Sequence, residues 1–122
     1  LAEKLFKRAV EHTCVACGGV AEINYRRAYP ATINTAHETS RAVECASKIV
    51  GGANVITDGK PLLAGEDFAF MLERSRGAYL FFGQDDGTKG GTPVHNVHYD
   101  FNDDLLPIGA SYLAGMVEQE LA

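Results

Sequence analysis

Hydrophobic and polar positions alternate between two periods along this chain. From Leu1 to Cys17, the residues Leu1, Leu5, Phe6, Ala9, Val10, Thr13, Ala16 and Cys17 recur at i, i+3 and i+4, with Glu3, Lys4, Lys7, Arg8 and Glu11 on the other face. That stripe predicts an amphipathic helix, closed by Gly18-Gly19 as a C-cap. Val20 to Tyr29 then changes period. Val20, Glu22, Asn24 and Arg26 fall on one side and Ala21, Ile23 and Tyr25 on the other, which predicts a half-exposed strand stopped at Pro30.

Thr35 followed by Glu38 has the spacing of a capping box and opens a second helix, with the stripe Ala36, Thr39, Val43, Ala46, Ile49 and Val50 and a stop at Gly51-Gly52. Ala53 to Ile56 reads as a short strand before the Asp58-Gly59 turn. Pro61 to Asp67 is a turn leading into a helix over Phe68 to Arg74, with Glu66 and Asp67 placed where the helix dipole favours acids. Ala78-Tyr79-Leu80-Phe81-Phe82 is apolar at every position, the pattern of a strand buried on both faces. A polar, Gly-rich loop runs from Gln84 to Pro93. The last helix is capped by Asp103 or Asp104 and carries Pro107 in its first turn. Leu105, Ile108, Tyr112, Leu113, Met116, Val117 and Leu121 line one face. The expected fold class is α/β, with a boundary near Pro30 to Asn34 between a wet-faced α+β piece and a more buried α/β piece.

Composition narrows the function more than the fold. Sixteen Asp and Glu against eleven Lys and Arg leave a net charge of −5, which argues against a nucleic-acid surface. No run of ~18 apolar residues suggests a membrane span, and no basic-then-apolar leader is present. The chain starts at Leu1, inside a helical pattern, and reads as cut from something longer. Three cysteines cannot complete a disulfide framework, which fits a reducing, cytoplasmic compartment. Cys14 and Cys17 form a C-x-x-C beside His12. A zinc site needs a second ligand cluster, and Cys45 stands alone. Cys17 also falls on the apolar stripe, so packing of a small hydrophobe in a core is favoured over redox chemistry, which would require a depressed thiol pKa.

The stretch Thr92 to Asp103 carries the candidate chemistry. Two histidines, His95 and His98, sit with Asn96, Tyr99, Asp100, Phe101 and Asn102 between a flexible loop and a helix start. A histidine so placed presents a metal ligand or a general base, or is simply part of a polar turn.

Tyr29-Pro30 with Asn34, the Gly65-Glu66-Asp67-Phe68 turn, the Phe82-Gly83 ending, and His95-Asn96 followed by Tyr99-Asp100-Phe101-Asn102-Asp103 together resemble the M20 metallopeptidases. The nearest branch is the aminoacylase-like amidohydrolases, including hippurate and auxin-conjugate hydrolases. The resemblance implies a fragment of a two-domain metal-dependent hydrolase. Residues 1–31 would be the last helix and strand of an α+β lid, or dimerisation, domain, and residues 32–122 the C-terminal part of an α/β catalytic domain. It implies two divalent ions, zinc, manganese, cobalt or nickel, which polarise the carbonyl and acidify a bridging water for a carboxylate base. The matching ligand position here is His95, while His98 falls on a more variable one. The other ligands and the catalytic glutamate map to no residue of this chain, so no catalytic residue is assigned. Val97 stands where the family pattern has proline, which loosens the turn.

The resemblance further implies that Gly65 and Glu66 lie near the substrate cleft, where backbone N–H groups hold a carboxylate. Asn34 faces that cleft or bonds the hinge. His12 and His37 receive no role. The implied activity is hydrolysis of the amide bond of N-acyl amino acids, with the 122-residue chain inactive by itself. Nucleic acid and membrane are not expected partners, and a homodimer through the open edge of Val20 to Tyr29 is. The competing reading is a free-standing α/β binding or dimerisation module, in which His95 and His98 are turn residues.

Overall fold

The helical stripes form helices close to where their spacing places them. The computed structural model describes residues 1–122 and contains α1 (Ala2–Ala16), α2 (Ala36–Val50), α3 (Phe68–Leu72) and α4 (Leu106–Leu121), with 3-10 turns at Gly52–Asn54 and Asp103–Leu105. α1 stops on its glycines. The Gly19 N–H donates to the Cys14 carbonyl at 2.8 Å and the Gly18 N–H to Val15 at 3.0 Å, the paired bonds of a Schellman motif. Gly18 supplies the required positive φ of 75°. Thr35 takes the N-cap position of α2 without closing the expected box. Its hydroxyl bonds the Glu38 side chain and accepts from the Gly77 N–H at 3.1 Å, so it ties α2 to the chain after α3.

The expected α/β class is overturned, because the structure is all-helical and has no strand. A strand exists only as a member of a ladder, and the apolar segments meant for the sheet find no partner strand here. None of the backbone groups of Val20 to Tyr29 bonds another backbone group. The segment is held against α1 by side chains: Arg27 Nε donates to Glu3 at 2.9 Å, and the Phe6 and Tyr25 rings stand 5.9 Å apart. Ala78 to Phe82 likewise joins no ladder, and Phe81 is 73% exposed instead of buried on both faces. Ala53 to Ile56 is no strand either. Its first residues belong to the 3-10 turn, and Asn54 Nδ2 donates to the Val50 carbonyl at 2.7 Å, satisfying the end of α2.

What core there is lies between α2 and α4. Ala42, Cys45 and Tyr112 are buried, with Ala46, Ile49, Ala78, Leu80 and Met116 packed around them. Gly115 permits the close approach: a Cβ there would sit 3.1 Å from Cys45 Sγ and 3.4 Å from Ile49 Cδ1. The Phe82 ring meets Tyr112 edge-on at 5.4 Å. Arg41 closes the far end, donating to Glu120 and to the Gln119 carbonyl at 2.9 Å each, while Gln119 donates back to the Arg41 carbonyl at 2.9 Å.

Two further expectations about packing change. The apolar residues of α4 divide between two rows. Tyr112 and Met116 pack on the α2 core and Ile108 is half-buried, while Leu113, Val117 and Leu121, one residue further round, are exposed. Cys17 is exposed and Cys14 only partly covered, because α1 buries no residue and its stripe meets only the segment Val20 to Tyr29. The accessible surface of 10098 Å² far exceeds the roughly 6,400 Å² of a compact monomer of this mass. The helices therefore present much of their apolar surface outward.

Candidate functional site

The loop after Phe82 is built from side chains that satisfy backbone. The Asp86 carboxylate accepts the Thr88 and Lys89 N–H groups at 2.8 and 2.7 Å and the Thr88 hydroxyl at 2.7 Å. Those donors hold its carboxyl well below the usual carboxylate range, the Lys89 N–H first among them. Gly90 has a φ of 73°, and a Cβ there would lie 2.1 Å from the Gln84 carbonyl oxygen, so no other residue fits.

Asn102 fastens this loop to the last helix. It is the one buried polar residue, 5% exposed. Its Nδ2 donates to the Gln84 carbonyl and to Asp86 Oδ2 at 3.1 Å each, and its Oδ1 accepts the Asp104 N–H at 3.2 Å. Neither Asp103 nor Asp104 is the expected helix cap: Asn102 caps the 3-10 turn Asp103–Leu105, and α4 follows with Leu105 at its N-cap position and no side-chain cap. The Asn102 carboxamide donates and accepts together, which a carboxylate cannot do. Sequence reasoning gave Gln84 and Asp86 no place in this network. An Asx residue before an acidic pair was the available signal for Asn102.

Between loop and helix lies the turn that carries the histidines. His95 is the only non-glycine residue with positive φ, at 67°. Asn96 sets the rest of the turn: its Oδ1 accepts the His98 N–H at 2.9 Å and its carbonyl accepts the Tyr99 N–H at 3.0 Å. Both histidines are exposed. An open apolar cavity of about 690 Å³ adjoins the turn, lined among others by Phe82, Tyr99, Phe101 and Leu106, with Gln84 at its polar side.

Asn34, Gly65 and Glu66 gather elsewhere, around two tyrosines. The Asn34 carboxamide pairs with the backbone of Tyr79. The Glu66 carboxylate beside the Tyr79 hydroxyl raises the phenol above its ordinary range. Glu66 is itself held low, first by the Phe68 N–H, which donates to its Oε1 at 3.1 Å. The N-terminus of α3 is thus occupied by a side chain of its own turn. At Gly65 a Cβ would fall 2.7 Å from the Tyr29 ring, and Tyr29 in turn meets Phe70 at 5.9 Å. The structure brings these three residues together. No hydrogen bond or ion pair connects His95 with them, and no three His, Cys, Asp or Glu side chains converge as a metal site.

A protein-family model described as peptidase family M20/M25/M40 matches residues 7–119. Among curated proteins, a putative amidohydrolase, YhaA, of Bacillus subtilis is 32% identical over 114 residues, covering 93% of this chain and 28% of that protein. The hippurate hydrolase of Campylobacter jejuni is 34% identical over 105 residues, 80% of this chain and 26% of the relative. An IAA-amino acid hydrolase, ILR1-like 2, of Arabidopsis thaliana is 29% identical over 119 residues, 98% and 27% of the two chains. The chain thus spans roughly a quarter of the length of these relatives. No solved structure matches it. No helix is long and apolar enough to cross a membrane.

Proposed function

The chain belongs to peptidase family M20/M25/M40, and from that premise we propose that it serves a metal-dependent hydrolase cleaving the amide bond of N-acyl amino acids. The names of the similar proteins, a hippurate hydrolase and an IAA-amino acid hydrolase, support an acylated amino acid as substrate class. In this reading residues 1–31 close a lid and residues 32–122 contribute to the catalytic part. A second copy pairs along the unbonded backbone of Val20 to Tyr29. Neither nucleic acid nor membrane is a partner, and the protein works in the cytoplasm.

The observation that carries the reading is the conformation of His95. Left-handed backbone in a non-glycine residue costs about 1–2 kcal/mol, and such strain persists where surrounding structure over-determines it, often at functional sites. Here Asn96 and the Asn102 anchor hold the turn, and the imidazole is presented to solvent. The residues of this chain do not by themselves fit a metal ion, because no three His, Cys, Asp or Glu side chains converge at His95. His95 supplies one imidazole, and the remaining donors come from outside the chain.

Asn34, Gly65 and Glu66 line the substrate side. The ionised Glu66 carboxylate suits a donor such as the substrate amide N–H and repels a substrate carboxylate. Gly65 keeps the backbone flush against Tyr29, and the Asn34 pair with Tyr79 sets the position of the phenol beside Glu66. The 122-residue chain alone hydrolyses nothing.

The test is His95→Ala in the complete hydrolase that contains this chain, read by bound metal and by turnover of N-benzoylglycine. Loss of metal together with turnover is expected. A variant that retained both would remove His95 from the site, and a complete wild-type enzyme inert toward N-acyl amino acids would remove the substrate class.

A further inference from the structure

Cys14 and Cys17 form the one sequence motif that neither the core nor the proposed hydrolase site uses. One argument against redox chemistry was burial of Cys17, and the structure removes that one: both are free thiols, Cys17 exposed and Cys14 partly so. The backbone of that turn adds an independent observation. The Cys17 N–H is shared between the Thr13 carbonyl at 3.2 Å and the Cys14 carbonyl at 3.1 Å, and the Gly18 N–H reaches Val15 at 3.0 Å. Bonds from i to i+3 are the 3-10 kind, in which side chains at i and i+3 eclipse. In a regular α-turn the same pair stands about 60° apart around the axis. The shared bond thus places Cys14 and Cys17 on one face of the helix end. Helical geometry puts such a pair of Cα atoms about 5–6 Å apart, inside the roughly 4.4–6.8 Å that a disulfide accepts. Their Cβ atoms stand about 5–6 Å apart as well. Closing to the roughly 3.5–4.5 Å of a disulfide therefore requires a local unwinding at Cys17, which already lies outside α1 as its C-cap.

We propose that Cys14 and Cys17 are a redox modification site, closing to a reversible disulfide with a small disulfide such as glutathione disulfide as oxidant. The exposed Cys17 thiolate attacks one sulfur of glutathione disulfide, forms a mixed disulfide and expels one glutathione thiolate. Cys14 then attacks the Cys17 sulfur, forms the internal bond and expels the second. Two electrons pass from the protein to the oxidant, and the two protons given up by the cysteines end on the released glutathiones. Cys45 takes no part, because it is buried between α2 and α4 with its Sγ 3.7 Å from the Tyr112 carbonyl.

The experiment incubates the protein with glutathione disulfide and reads intact mass and peptide maps after alkylation of the remaining thiols. The expected product has lost two hydrogens, yields a Cys14–Cys17 linked peptide, leaves only Cys45 to alkylate on unfolding, and reverts with excess reduced glutathione. In Cys14→Ser the attack proceeds but cannot be resolved, so a glutathione adduct accumulates on Cys17. A wild type that keeps that adduct, links Cys45, joins a second molecule instead, or does not react would overturn the proposal. The wild-type map decides even if the serine variant folds poorly.

Discussion

The side chain of Asn34 treats Tyr79 as a neighbouring strand would. Its Nδ2 donates to the Tyr79 carbonyl at 3.0 Å and its Oδ1 accepts the Tyr79 N–H at 2.8 Å. A carboxamide presents N–H donors and a carbonyl acceptor in one plane, as a peptide group does. It therefore satisfies both backbone groups of a residue whose apolar segment has no ladder of its own. With the Thr35 bonds to Gly77, it sets the start of α2 beside the apolar run.

Asn34→Asp keeps the acceptor and exchanges the donor for a carboxylate facing the Tyr79 carbonyl. Loss of this partly exposed pair is expected to cost about 1–2 kcal/mol. Urea unfolding together with hydrogen exchange at the Tyr79 amide measures it. Unchanged protection of that amide would show that the pair bears no load.

The approach of α2 and α4 depends on Gly115. Gly115→Val places methyl groups where a bare Cβ already meets Cys45 Sγ at 3.1 Å, and overpacking of this kind costs about 1–3 kcal/mol. Shortening the opposing side chain, as in Cys45→Ala, should recover part of the loss in the double variant. Strict additivity of the two substitutions would sink this account of the contact.

Asn102→Ala leaves the Gln84 carbonyl and the Asp104 N–H without their partner. A cost of about 1 kcal/mol is expected for losing these partly buried hydrogen bonds, together with faster amide exchange from Asp85 to Gly91. The same loop should loosen with acid. Asp86 titrates below its ordinary range in the folded chain, so its stabilisation is complete above the unfolded value near about pH 4 and fades as pH falls through the lower folded value. Carboxyl-carbon NMR of Asp86 follows this directly. In Asp86→Asn the acid-induced loosening of the loop should disappear.

His95 should divide stability from function. His95→Gly relieves the backbone at φ 67° and is expected to raise stability by about 1 kcal/mol, whereas His95→Ala keeps the strained backbone and gives no such gain. In the complete hydrolase both variants should lose the same metal and the same turnover. A glycine variant no more stable than the alanine one would mean that the turn costs nothing, and with that the main support for a functional His95 would go.

Much of the helical structure was legible in the order of residues. The stripes of α1 and α2, the Gly18-Gly19 and Gly51 stops and the Pro107 helix start are local, because turn-by-turn spacing and capping are decided by neighbours in sequence. The motifs around His95 and Glu66 were legible for the same reason, and the family match over residues 7–119 agrees with them. The strands were not decided locally. Alternation in Val20 to Tyr29 and the apolar run Ala78 to Phe82 describe segments able to pair, but a strand requires a partner whose position no local pattern contains. Cys17 and the outer row of α4 misled for a related reason: a stripe marks a face that can be buried and does not supply what buries it. Only the tertiary structure decided that Asn102 ties Gln84 and Asp86 to the turn before α4 and that Asn34 pairs with Tyr79. Each of these relations joins residues distant along the chain, and their distances come from packing.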